Sequence, residues 1–201
     1  MDKAKIIGQI EELKGTITML ADGFIDEVWE LVDTRNSVDS FTLLGQMKQF
    51  SDRIAMAGTG GMGIEITKKR RDFGGFTCNI GCAAASLGVD VVMAGLYGKG
   101  EMDPVFKPLE KLSRVITMGD PATTHVLEFN DGKILMTDMQ ALFDMTWPFL
   151  IDALGKDALV DLLVKSDNAV KFQDVLENFG EYVRHILDYQ FNKRVDIIRY
   201  D

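Results

Sequence analysis

Asp72-Phe-Gly-Gly-Phe-Thr-Cys-Asn-Ile-Gly-Cys-Ala-Ala-Ala-Ser-Leu-Gly-Val-Asp-Val-Val-Met-Ala-Gly-Leu-Tyr-Gly98 contains the three signals that decide the fold. Gly74-Gly75 opens a helix expected over 76–87, with Thr77 or Asn79 as a candidate cap and Gly88 suited to the C′ position. Ala83, Ala84, Ala85 and Ser86 keep that helix thin, so it can pack closely on a sheet. Val89–Leu96 is a continuous apolar run, the pattern of a buried parallel strand. A glycine turn where a helix meets a sheet is also a place where backbone can approach a polar ligand.

Upstream, residues 3–14 carry an amphipathic helical stripe, and Thr16–Leu20 is a compact β run. Ala21-Asp-Gly-Phe-Ile-Asp26 follows, and Glu27–Val32 continues as β. Ser40–Phe50 reads as helix and Arg53–Ala57 as strand; Gly58–Gly63 is then a glycine loop between strands, with Ile64–Lys68 as the next one. That loop is not a dinucleotide fingerprint, which needs a helix after the glycines, and it has no Gly-Lys-Ser/Thr ending. Lys68-Lys69-Arg70-Arg71 reads as a solvated loop, with an electropositive rim as its rival.

Downstream, Phe106–Leu112 reads as a short helix and Arg114–Met118 as a strand. Thr124–Phe129 and Lys133–Met136 flank Asn130-Asp-Gly132, a hairpin turn. From Trp147 the pattern is helical, with segments over 158–165 and 169–191 and a last β run over 195–198. Strand–helix–strand followed by hairpins points to an α/β sheet with a β appendage.

The 201 residues suffice for one domain of ordinary size, and 46% hydrophobic with 26% charged residues is a globular composition. A net charge of −9 disfavours nucleic acid and anionic membranes as partners. No apolar run is long enough to span a bilayer, the N-terminus lacks a signal-peptide core, and the expected location is cytoplasmic. Cys78 and Cys82 share a helix face and read as small core residues; a metal site would need more ligands than His125 and His185 supply.

Three landmarks in order resemble the ribokinase-like family of carbohydrate and nucleoside kinases: Ala21-Asp22-Gly23-Phe24-Ile25-Asp26-Glu27-Val28, Gly74-Gly75-x-x-x-Asn79 with Leu87-Gly88-x-Asp90-Val91, and the Pro121–Lys133 hairpin. The first departs from the family pattern by carrying Ala21 where glycine is usual. The resemblance implies a central α/β sheet flanked by helices, with a small β lid drawn from parts of 27–34 and 53–68. The landmarks cover roughly residues 15–165; the domain they imply is 1–167, and 168–201, a helical segment and a final strand, looks unlike the family's continuation. The resemblance also implies that Asp26, Gly74, Gly75 and Asn79 line a sugar site. A strand-end carboxylate can accept hydrogen bonds from vicinal hydroxyls, so the substrate class is a polyol.

The family's second half binds ATP and Mg2+ and carries a Gly-Ala-Gly-Asp turn whose Asp is the general base. Nothing in the sequence matches that turn: Met118-Gly-Asp-Pro121 has one glycine and lies too early. Asn178-Phe-Gly-Glu181 has the Asn-x-x-Glu spacing of the family's metal-organising motif but sits in a helical run. The expectation is therefore the substrate-binding half of a sugar or nucleoside kinase, inactive alone, with no catalytic residue of its own. The rival reading is a non-catalytic module that binds a small ligand or dimerises through its lid. An unpaired sheet edge makes a homodimer the expected assembly.

Overall fold

The structure is a computed structural model that describes residues 15–164. The helix expected over 3–14, the segments over 169–191 and 195–198, and the Asn178–Glu181 pair lie outside the described residues.

Two sheets form the framework. The first has the order β1-β5-β6, from Thr16–Leu20 (β1), Asp90–Gly95 (β5) and Arg114–Thr117 (β6). All its pairings are parallel, with Thr16 opposite Asp90 and Val92 opposite Arg114. Val91 to Gly95 are all buried, as a strand covered on both faces requires. Helix Phe76–Ser86 and the 3-10 helix Pro104–Lys111 cover one face over Met19, Cys78, Val91, Met93, Tyr97 and Phe106. Helices Gln140–Phe143, Trp147–Leu154 and Lys156–Val164 close the other over Ala94, Leu96, Met118, Leu150 and Leu159. In chain order the helices are α1 (Met47–Ala57), α2 (Phe76–Ser86), α3 (Gln140–Phe143), α4 (Trp147–Leu154) and α5 (Lys156–Val164).

Helix α2 starts directly after Gly75, as the glycine pair predicts. Its close approach to the sheet is made by Gly81, where a Cβ would stand 2.5 Å from Met93 Cε.

The lid is a second sheet built on the long strand β2 (Phe24–Arg35). Strand β7 (Ala122–Phe129) runs parallel to it and turns through Asn130-Asp131 into the antiparallel β8 (Gly132–Asp138). Strand β4 (Ile66–Gly74) pairs antiparallel to β2 from Gly74 opposite Phe24 to Ile66 opposite Leu31, and β3 (Phe41–Leu43) pairs with the far end of β2. Leu31, Leu44, Leu127 and Phe129 form its core.

Three expectations need correction. Residues 53–57 are not a lid strand: they end α1, which begins at Met47 rather than Ser40, and 41–43 are strand. The helix is anchored at its start, where the Gln46 N–H donates to Gln49 Oε1 at 3.0 Å and the Met47 N–H to Asp131 Oδ1 at 3.0 Å. Met47 and Phe50 then pack on the lid core, Phe50 with its ring 5.8 Å from that of Phe129. Ala55, Met56 and Ala57 suit a helix, and Gly58 ends it at φ 56°. The 58–63 loop consequently joins a helix to a strand, not two strands. Finally, Lys68–Arg71 is neither loop nor free rim: it lies within β4, and each cation meets a carboxylate.

Candidate functional site

The site grows from the connection between β1 and β2, which meets the end of β4 where the chain turns into α2. Phe24 lies opposite Gly74, so Asp26 lies opposite Asp72, two residues back along β4. Asp26 is also opposite Thr124 on β7, and Thr124 is opposite Thr137 on β8. Directly opposed residues share a sheet face, so Asp72, Asp26, Thr124 and Thr137 form one polar row across four strands. The two threonine hydroxyls lie 3.2 Å apart. Asp72 accepts from Arg70 Nε at 2.7 Å.

The structure brings Asp26, Gly74 and Gly75 together. A Cβ on Gly74 would stand 2.7 Å from Asp26 Oδ2 and 3.0 Å from Oδ1, so only glycine leaves the carboxylate its present place. Gly75 has φ 101°, in the left-handed region that favours glycine, and its missing Cβ faces Asp22 Oδ2 at 2.9 Å. Asn79 stands one turn further along α2, exposed, with its N–H on the Gly75 carbonyl at 3.1 Å. The caps expected from Thr77 or Asn79 are not the ones used.

Asp22 is the residue that sequence reasoning missed. Its carboxylate accepts the backbone N–H of Phe76 at 2.6 Å and of Thr77 at 2.8 Å, the first donors of α2. The signal was its place four residues before Asp26, matched by two consecutive glycines further on. Around it lies a buried polar cluster. Thr77 Oγ1 is fully buried and has no hydrogen-bond partner among the described residues. The buried Tyr97 hydroxyl has the Cys78 thiol beside it, without a hydrogen bond of good geometry. Burial pushes the Cys78 thiol up to about 12, which suits the core role expected for it and leaves it unreactive at neutral pH.

The cations of β4 are consumed by an ion-pair ladder. Lys68 pairs with Glu27 at 3.0 Å, and Lys69 with Glu30 at 2.8 Å and Glu128 at 2.7 Å. Arg70 forks onto Glu128 at 3.0 and 3.1 Å, and Arg71 onto Asp103 at 2.8 and 2.9 Å. Arg70 and Lys69 hold the Glu128 carboxyl at about 2. Asp103 opens the 3-10 helix after β5, so its pair with Arg71 ties lid to main sheet.

Gly74 is buried, Asp26 and Gly75 are half-buried and Asn79 is exposed, and none of the four lines either of two cavities elsewhere. One, of about 540 Å³, lies between the β1-β5-β6 sheet and α4–α5, beside Thr18, Arg114 and Asp161. The other, of about 90 Å³, lies in the lid beside Glu30, Lys69 and Asn130.

Among the described residues no three His, Cys, Asp or Glu stand close enough to hold a metal ion. Gly119 and Asp120 build an internal turn, with the Gly98 N–H on the Gly119 carbonyl at 2.8 Å and the Lys99 N–H on Asp120 Oδ1 at 2.9 Å. No described helix is long and apolar enough to cross a membrane.

A family model described as prokaryotic ketohexokinase matches residues 8–170. A ketohexokinase of Haloferax volcanii is 27% identical over 154 residues, which is 74% of this chain. The chain spans 40% of the length of that curated relative. Solved structures that resemble it include a putative sugar kinase from Clostridium perfringens, 18% identical with a TM-score of 0.38, covering 68% of this chain and 38% of that one. A Burkholderia thailandensis nucleoside kinase in complex with inosine is 19% identical with a TM-score of 0.36, covering 62% of this chain and 35% of that one. With its model matched across the whole described region, the chain belongs to the prokaryotic ketohexokinase family.

Proposed function

We infer that this chain is the sugar-binding half of an ATP-dependent ketohexose kinase, with Asp26, Gly74, Gly75 and Asn79 as the polyol site. The observation that supports it best is the fit of the Asp26 carboxylate against Gly74, at a distance no other residue would allow. A carboxylate held this way offers acceptor oxygens to two neighbouring hydroxyls. Glycine backbone beside it lets a sugar ring approach, and analogues lacking those hydroxyls forfeit the hydrogen bonds. Asn79, exposed at the first turn of α2, adds an amide that donates and accepts.

Phosphoryl transfer rests on positioning and on charge stabilisation of the phosphate. The described residues supply the sugar side of that arrangement. In this reading ATP, Mg2+ and the general base belong to the family's other half. The protein is cytoplasmic and pairs with a second copy of itself.

The test is D-fructose titration of the 201-residue protein by calorimetry, beside Asp26→Ala. The unaltered protein binds; Asp26→Ala does not, and keeps its circular-dichroism spectrum. ATP consumption with pentoses, hexoses or nucleosides stays at background. Absence of fructose binding by the unaltered protein refutes the sugar site, and measurable turnover refutes the inactivity.

A further inference from the structure

The larger cavity rests on one face of the main sheet. Thr18 lies opposite Val92 and Val92 opposite Arg114, a row across β1, β5 and β6. Residues two apart share a strand face, which adds Thr16 and Ile116 to the same side. All five line the cavity. Its other wall is the bend from α4 into α5, made at Gly155 with φ 78°. The short side chains of Ala153 and Ala158 flank that bend and leave a space of about 540 Å³ among the described residues. Thr18 Oγ1 donates to the Leu162 carbonyl at 3.1 Å, which fixes α5 to β1 and holds the wall in place. One cation of the lining is unpaired. Arg114 makes no side-chain hydrogen bond or ion pair among the described residues, whereas Arg35, Arg53, Arg70 and Arg71 each hold a carboxylate. The chain has 31 acidic and 22 basic residues, so acids are in excess and this arginine is still without one.

We propose that this cavity is a second binding site, which takes a small monocarboxylate with an apolar body. A guanidinium meets a carboxylate through two parallel hydrogen bonds, and a threonine hydroxyl can donate to the same oxygens. Val92, Ile116, Leu154 and Leu162 supply apolar surface for the rest of the ligand. One arginine matches one negative charge. A phosphate dianion would have the same single cation and would face Asp161, which also lines the cavity and is itself engaged. The volume is that of an ordinary small-molecule site, about 300–1,000 Å³. The cavity takes in the residues that begin β1 and β6, whereas the polyol site stands at the far end of β1, where the chain crosses into β2. The inference therefore does not depend on the polyol reading.

The test is calorimetric titration of the 201-residue protein with octanoate, and separately with octanol, with circular dichroism as the check on folding. Octanoate binds, and octanol binds at least about tenfold more weakly. Arg114→Gln weakens octanoate by a similar factor and leaves octanol unchanged. Lys107→Gln, which removes an equal charge from the 3-10 helix on the other face of the sheet, changes neither. Ala158→Leu narrows the cavity with a good helix former and weakens both ligands. Should Arg114→Gln fail to fold, Ala158→Leu carries the test of place and the comparison of octanoate with octanol carries the test of charge. The proposal is overturned by no octanoate binding to the unaltered protein or by equally tight octanol binding. It is also overturned by undiminished octanoate affinity in a folded Arg114→Gln or Ala158→Leu, or by an equal loss in Lys107→Gln. Unfolding of both cavity variants overturns it as well, by making the two positions purely structural.

Discussion

Replacing Gly74 with alanine tests the geometry of the site with a single methyl group. Nothing in the backbone forbids it, since Gly74 does not lie in the left-handed region. The new Cβ would stand 2.7 Å from Asp26 Oδ2, where ordinary contact begins at 3.4 Å, a shortfall of about 0.7 Å. The atom in the way is the tip of a side chain, so the carboxylate swings aside and the strand survives. Removing a strand glycine gains roughly 0.5–1 kcal/mol, and overpacking costs about 1–3 kcal/mol. The net loss is of order 1–2 kcal/mol, a fall in Tm of no more than about 8 °C. Binding suffers more. A hydrogen bond to a charged acceptor contributes about 1.5–3 kcal/mol, so misplacing one weakens fructose roughly 10- to 150-fold. Calorimetric titration reads the affinity, and thermal melting followed by circular dichroism reads the fold. Gly61→Ala, where an added Cβ meets nothing within 4 Å, is the control and changes neither. A folded Gly74→Ala that binds fructose as the unaltered protein does would refute the assignment of Asp26 to the sugar.

Two further predictions concern the lid and the assembly. Arg70 and Lys69 lower the Glu128 carboxyl from 4.5 to about 2, so its pairing stabilises the fold fully above the ordinary carboxylate range and is lost as pH falls towards 2. Urea midpoints should therefore decline between pH 5 and pH 2, with a shallower decline in Glu128→Gln; parallel declines would show that Glu128 is not responsible. Among the described residues β1 and β6 form the outer edges of the main sheet, and open edges pair with other chains. Sedimentation at micromolar concentration should show a species heavier than 22.4 kDa, and a clean monomer would exclude association.

Short-range chemistry carried much of this protein into view. The start of α2 after Gly75, the buried strand before Gly95 and the 130–132 hairpin turn each rest on neighbouring residues, and each stands where the sequence places it. Asp26 and Gly74 were legible as a pair through their motifs, and the structure sets them in contact. The misreadings share a cause. Residues 53–57 carry no decisive local signal, and their helix is selected by an anchor at Asp131 and by packing on Phe129. The basic run looked like a loop because like charges in a row repel; on β4 each one finds an acid on β2, β4, β7 or the 3-10 helix, which turns repulsion into pairing. The capping role of Asp22 depends on α2 beginning beside it, 54 residues further along the chain. Periodicity, glycine turns and apolar runs act over a few residues and are written in order along the chain. A cap, an ion pair or a helix docked on a sheet depends on which distant groups folding brings to hydrogen-bonding distance, and that emerges only once the strands have chosen their partners.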